Sequence, residues 1–273
     1  TKGNEKPAIL DKNGKIRELS SKIKDLSPES LNFETILKLK NIDLEKLPVI
    51  SSTTRVGPCI NKPGKFIAIG LNYSDHAKET GAKVPTEPIV FMKATSCING
   101  PNDDIELAPS SKKLDWEVEL GIVIGKETKK ISAKEASNFI FGYCLVNDLS
   151  ERDWQIEKLG QWTKGKSHDT FGPIGPYIVT VDEIKDIKNL NLSLDINGKR
   201  MQTGNTKNMI FDVYNIVSYL SNYMSLQPGD IITTGTPPGV GMGKNPQVFL
   251  KAGDRIRLSI DNLGEQNSRV VLV

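Results

Sequence analysis

Asp115-Trp116-Glu117-Val118-Glu119-Leu120-Gly121 alternates acidic and apolar residues, and an apolar run carries on from it to Ile124. Strand side chains point alternately to opposite faces, so the pattern predicts a strand over 116–124. Trp116, Val118 and Leu120 would share one face, with Asp115, Glu117 and Glu119 on the other. Carboxylates two residues apart repel each other. Water can screen that repulsion, and a hard divalent cation can turn it into binding. The spacing alone fits a solvated face as well as a cation site.

Working outward, short apolar runs bounded by Gly, Pro and Asp continue the β reading. Strands are expected over 66–70, 140–146, 231–234, 255–260 and 269–273, with turns at Gly229-Asp230 and Gly253-Asp254. One helix is clear: Phe211, Val213, Ile216, Val217, Leu220 and Met224 form a helical stripe that ends before Pro228. That stripe is core packing.

Upstream, Ala8-Ile9-Leu10 and a turn at Asn13-Gly14 predict a hairpin. One or two short helices are expected over 25–40, started by Ser27-Pro28-Glu29. Gly57-Pro58, Pro63 and Gly64 mark a break. Residues 1–62 therefore read as a small N-terminal α/β domain and residues 63–273 as the main, β-rich one.

The balance of 36 Lys and Arg against 33 Asp and Glu is near neutral, and the basic residues are dispersed, which argues against a nucleic-acid partner. The longest apolar stretch, 139–146, is far too short to span a membrane, and no signal peptide is visible. The chain opens at Thr1, so an initiator or short leader can precede it. Cys59, Cys97 and Cys144 lack paired spacing and read as isolated thiols of a reducing cytoplasm.

Three further segments could carry chemistry. Asp148 falls where an apolar strand hands over to a loop, and could either cap a helix or supply another oxygen ligand. In Gly70-Leu71-Asn72-Tyr73-Ser74-Asp75-His76-Ala77-Lys78-Glu79, either Asn72 or Ser74 could cap a short helix. That helix would set His76 and Glu79 on one face, where a carboxylate raises imidazole basicity for water activation. Lys166, in the loop Lys164-Gly165-Lys166-Ser167, reads as a surface lysine or as a point charge for a carboxylate or enolate.

The ordered set Gly70-Leu71-Asn72-Tyr73-x-x-His76-x-x-Glu79, Asp115 to Gly121, Asn147-Asp148-x-Ser150-x-Arg152-Asp153, Lys164-Gly165-Lys166-Ser167 and Gly235-Thr236-Pro237-x-Gly239-Val240-Gly241 resembles the fumarylacetoacetate hydrolase family. The likeness runs from about Lys65 to the C-terminus. Asp153-Trp154-Gln155-Ile156-Glu157 and Asp169-Thr170-Phe171-Gly172-Pro173-Ile174-Gly175-Pro176 are similar to a bacterial branch of 2,4-diketo-3-deoxy-L-fuconate and -rhamnonate hydrolases, some of whose members are labelled ureidoglycolate lyase.

The resemblance implies an α+β, mainly β fold, a mixed β-roll, assembled as a homodimer. It implies Mg2+, with Mn2+ as the alternative, on Glu117, Glu119 and Asp148. His76, Glu79 and Lys166 take catalytic positions, and Arg152, Gln155 and Thr236 substrate-contacting ones. Leu71 departs from the Arg of some acylpyruvase relatives, so no carboxylate contact is carried over there. The implied reaction is hydrolysis of the C–C bond of a small 2,4-dioxo acid to pyruvate and a second acid. The alternatives are a ureidoglycolate lyase and a 2-oxo acid isomerase or decarboxylase.

Overall fold

The strands expected from the apolar runs lie side by side in a six-stranded mixed sheet. Its order is Val179–Thr180, Ile140–Asn147, Val118–Ile124, Ile231–Thr233, Phe66–Gly70 and Ile89–Lys93. The computed structural model describes residues 2–79, 81 and 83–273. All pairings in this sheet are antiparallel except that of Ile231–Thr233 with Phe66–Gly70. Every residue of Val118–Ile124 and of Ile140–Asn147 is buried. Strands covered on both faces lose the polar alternation of a half-exposed sheet, hence their nearly continuous apolar sequence.

A second sheet, five-stranded, runs Lys199–Asn205, Asn191–Ile196, Arg255–Ile260, Gly264–Leu272 and Ile105–Leu107. It packs on the first, with Val118–Ile124 touching both Asn191–Ile196 and Arg255–Ile260. Leu120, Ile122, Leu192, Leu194 and Leu258 join one apolar core between them. Truncating any of these buried leucines to alanine costs about 2–5 kcal/mol. The expected helix is Val213–Tyr223, capped by Asp212, whose carboxylate accepts from the Tyr214 and Asn215 N–H groups. It buries Val213, Ile216, Val217 and Leu220. The fold is therefore α+β and mainly β, as expected.

Several local expectations are corrected. The strand predicted over 116–124 covers only Val118–Ile124, and Leu114–Asp115 is a separate short strand ahead of it. At the break, Val118 N–H donates to the Gln202 side chain and Glu117 N–H to that of Asn147 instead of to ladder carbonyls. Asp115 is thereby separated from the face of Glu117 and Glu119. The helix expected within 25–40 is Phe33–Lys40, capped by Asn32. Ser27-Pro28-Glu29 forms a turn, with the Ser27 carbonyl accepting from Ser30 and Leu31.

The last strand starts at Gly264, five residues before the apolar signal, and its first part, to Arg269, pairs with Arg255–Ile260. Buried Gln266 hid it. Its amide donates to the Leu145 and Gly175 carbonyls, so a polar residue fills a core position. Ala8–Leu10 and Ile16–Glu18 pair as the predicted hairpin and are joined by Val49–Ile50. Cys59, Cys97 and Cys144 are all free thiols, as expected, and all three are buried. A hydrogen bond with Cys144, together with burial, pushes the Cys59 thiol well above its ordinary range.

Candidate active site

The site gathers where strand ends of the six-stranded sheet pass into loops. Ile140–Asn147 ends immediately before Asp148, whose N–H donates to the Glu117 carbonyl at 2.9 Å. Glu119 lies one step along the neighbouring strand. Oxygens of Glu117, Glu119 and Asp148 all come within 4.8 Å of one another, and all three side chains are buried. The solvated face that the sequence also allowed is not what forms.

Burial and the charges of Asp148 and Glu117 push Glu119 well above the usual carboxylate range. Its Oε2 accepts from Gly235 N–H at 2.7 Å and from the Thr233 hydroxyl. Burial also acts to raise Glu117, but Lys166 and Arg152 outweigh it and hold that carboxyl well below its ordinary value. Lys166 Nζ stands 2.7 Å from Glu117 Oε2 and 2.6 Å from Asp148 Oδ2. Burial opposes its charge, yet Asp148 and Glu117 keep the ammonium above its ordinary pKa. It is a buried ion, not a surface lysine.

Lys166 ends the short helix Trp162–Lys166, which lies flush against the five-residue π-helix Asp153–Glu157. Gly165 permits this approach, because a Cβ there would come within 2.5 Å of the Gln155 backbone nitrogen. π-Helical turns are rare and recur at functional sites. This one presents Gln155, whose Oε1 accepts from Arg152 Nη1 at 2.9 Å. Arg152 Nη2 is ion-paired to Glu117 Oε1 at 2.7 Å. Thr236 is oriented from both sides, donating to the Val118 carbonyl and accepting from Gln202.

Helix Ser74–Glu79 places His76 Nδ1 3.0 Å from Glu79 Oε2. Asn72 does not cap it. The Asn72 side chain bridges Phe211 and the Thr234 carbonyl, fixing the turn ahead of the helix. Gly239 N–H donates to both Glu79 oxygens, at 2.9 and 3.0 Å. Burial acts to raise Glu79, but the bonds from His76 and Gly239 prevail and lower it.

A cavity of about 230 Å³ is lined by His76, Lys166, Arg152, Gln155, Thr236 and the three clustered acids. Glu79 stands behind His76. A second cleft of about 340 Å³, bordered by Tyr143, Asp182 and Lys188, lies among other residues and lacks such an acid cluster.

Two contributors escaped the sequence reading. Lys93 is fully buried, and its Nζ ion-pairs with Asp148 Oδ1 at 2.7 Å. Nothing in an apolar strand Ile89–Lys93 signals that its last residue turns inward to an acid. Asp115 accepts from Arg152 Nε, Gly241 N–H and Met242 N–H at 2.9, 2.7 and 3.0 Å. It thus ties the arginine at Glu117 to the loop that also holds Glu79. Its place in the alternating stretch was visible, but not its partner.

The donor set fits a hard divalent cation. It is all oxygen, and four buried acids (Asp115 included) face three buried cations, Lys93, Lys166 and Arg152. Among the described residues, Glu119 has its hydrogen bonds on Oε2, and Asp148 Oδ1 has an ion pair but no aligned hydrogen bond. Each carboxylate oxygen has two lone pairs, so the lysine contacts leave room for ligation.

Fold and site together define an enzyme built around a buried carboxylate cluster. The chain belongs to the fumarylacetoacetate hydrolase family: the model described as fumarylacetoacetate (FAA) hydrolase C-terminal matches residues 65–271. A Burkholderia ambifaria protein provisionally named a hydrolase is 56% identical over 97% of this chain and 94% of its own length. The fumarylacetoacetate hydrolase from Exiguobacterium antarcticum is 34% identical with a TM-score of 0.88, covering 100% of this chain and 97% of that one. Maleylpyruvate hydrolase from Sphingobium sp. SYK-6, solved with manganese(II) and pyruvate, is 28% identical with a TM-score of 0.82, covering 98% and 96%.

Proposed function

We propose that this chain is a magnesium-dependent hydrolase, with manganese as the alternative metal, that splits the C3–C4 bond of a 2,4-dioxo acid into pyruvate and a second carboxylic acid. The observation that carries this reading is one cavity combining a carboxylate cluster, a buried lysine and a His–Glu pair. The similarity to a maleylpyruvate hydrolase whose structure holds manganese and pyruvate supports it.

A divalent cation on Glu117, Glu119 and Asp148 would serve as a Lewis acid and template for the 2-oxo acid end. Glu79 fixes the His76 tautomer so that the far ring nitrogen takes a proton from water. The water oxygen bonds to C4. The C3–C4 bond then breaks with its electron pair going to the pyruvate fragment as an enolate. Lys166, itself buried, supplies a positive charge beside that fragment, and burial is what makes such a charge count. Arg152, the Gln155 amide nitrogen and Thr236 border the substrate, and Arg152 also holds Glu117 and Gln155 in place. Protonation at C3 completes pyruvate, and the water oxygen ends in the other acid.

Turnover of an acylpyruvate in 18O-labelled water tests this scheme. Hydrolysis yields one equivalent of pyruvate and one 18O in the partner acid. Carbon dioxide release, or a shifted double bond without pyruvate, would replace it with a decarboxylase or isomerase. Urea release from ureidoglycolate, with acylpyruvates untouched, would replace it with a lyase.

The proposal extends to organisation. Residues 1–62 form a small domain beside 63–273, a division supported by the family match beginning at residue 65. Two copies pair, and the protein works in the cytoplasm. The three buried free thiols support that compartment, and no helix among the described residues is long and apolar enough to cross a membrane. Limited proteolysis and light scattering test the first two points.

A further inference from the structure

We infer that the part of the substrate beyond C4 is short and uncharged, so the molecule carries a single carboxylate. This rests on the hydrolase reading, since it concerns the other end of the same cavity. Away from the acids, the cavity wall is Ile69, Leu71, Phe91, Ile156, Trp162 and Met242, all apolar. Phe91 and Trp162 meet edge to face, their ring centroids 5.3 Å apart. Gly70 lets the indole lie against the strand, because a Cβ there would come within 2.5 Å of the Trp162 ring. Lys166 Nζ is 5.3 Å from the Phe91 centroid, so the wall begins directly beside the charged cluster.

The cations lining this cavity are already engaged. Arg152 serves Asp115, Glu117 and Gln155, and Lys166 serves Glu117 and Asp148. His76 is paired with Glu79. Lys93 is sealed behind Asp148 with its side chain 0% exposed. Among the described lining residues, none offers an uncommitted positive charge to a second carboxylate. A carboxylate placed on this wall would lose water without gaining a partner. Each buried CH2 of an acyl chain would instead gain about fourfold in binding. Length is bounded as well, because about 230 Å³ is below the roughly 300–1,000 Å³ of clefts that hold drug-sized ligands.

Two ligands of equal chain length test the inference: 2,4-dioxoheptanoate and 2,4-dioxoheptanedioate, which differ only in a terminal methyl against a carboxylate. Turnover is measured with the Mg2+-loaded protein. Affinity is measured by calorimetry on Mg2+-loaded His76→Ala, in which chemistry is slow. The monocarboxylate is expected to lead in both, by on the order of 100-fold. Leu71→Arg, which puts a cation on the wall, is expected to narrow the gap by improving the dicarboxylate. Equal or better binding of the dicarboxylate by the unsubstituted wall overturns the inference. Tighter monocarboxylate binding without turnover of either compound supports it while defeating the hydrolase reading. Binding of neither overturns both.

Discussion

Lys166 Nζ and Asp148 Oδ2 meet at 2.6 Å with both side chains buried, so the candidate metal cluster carries its own cation. Removing one member of a buried pair leaves the other charge uncompensated, typically at about 3–5 kcal/mol. Lys166→Met should therefore destabilise the metal-free protein by about that much, with Mg2+ restoring part of the loss by taking over the neutralisation. Turnover should stay low after Mg2+ is added, by about 100- to 1,000-fold, because the dication does not replace the ammonium beside the enolate. Denaturant titrations with and without Mg2+, alongside kcat, check both halves.

Glu119 gives an effect of opposite sign. Its folded pKa is raised, so this carboxyl subtracts from stability at any pH above its ordinary value of 4.5. Glu119→Gln removes the ionisable group while keeping a side-chain oxygen for Gly235 N–H and Thr233. The metal-free variant should be at least as stable as the parent, and its gain on adding Mg2+ should shrink. For the parent, Mg2+ at 100 times its Kd should contribute about 2.7 kcal/mol. A variant stabilised by Mg2+ as much as the parent would remove Glu119 from the ligand set.

Glu79 links stability to acid pH. Its folded pKa lies below the ordinary 4.5, so its contribution is full above that value and is lost as pH falls through the folded pKa. Glu79→Gln should therefore be less stable than the parent at neutral pH, and the difference should close below pH 4.5. Thermal unfolding of both proteins from pH 7 to 3 reads this directly. A difference that grows in acid would contradict the assignment.

The Gly239 peptide is held on both sides, its N–H by Glu79 and its carbonyl by the Trp116 indole at 3.1 Å. Its φ is +111°, and a Cβ would lie 2.0 Å from the Met201 carbonyl oxygen. Gly239→Ala must shift this loop. It is expected to cost at least about 1–3 kcal/mol of stability and to depress kcat by loosening Glu79. Unfolding midpoints and kcat measured side by side check it.

Much of the fold was legible because the core strands are nearly continuous apolar runs, broken by Glu119 in 118–124 and ended by Asn147 in 140–147. The site was legible where chemistry and spacing coincide, as with His76 and Glu79 one helical turn apart. What stayed hidden depends on contacts between distant segments. Lys93 is 55 positions from Asp148, and Asp115 is 126 from Gly241, and no local period encodes either meeting. Polar residues in core positions misled in the same way. Gln266 concealed half a strand, and the bonds that Val118 and Glu117 N–H donate to Gln202 and Asn147 interrupted the one expected through Trp116 and Glu117.

The central claim is tested most directly by mixing metal-stripped protein with an acylpyruvate and following loss of the diketone absorbance, with and without Mg2+, while assaying pyruvate. The expected result is Mg2+-dependent loss with one pyruvate per diketone, slowed about 100- to 10,000-fold in His76→Ala. Mg2+-independent loss, or a His76→Ala protein as fast as the parent, would contradict the account.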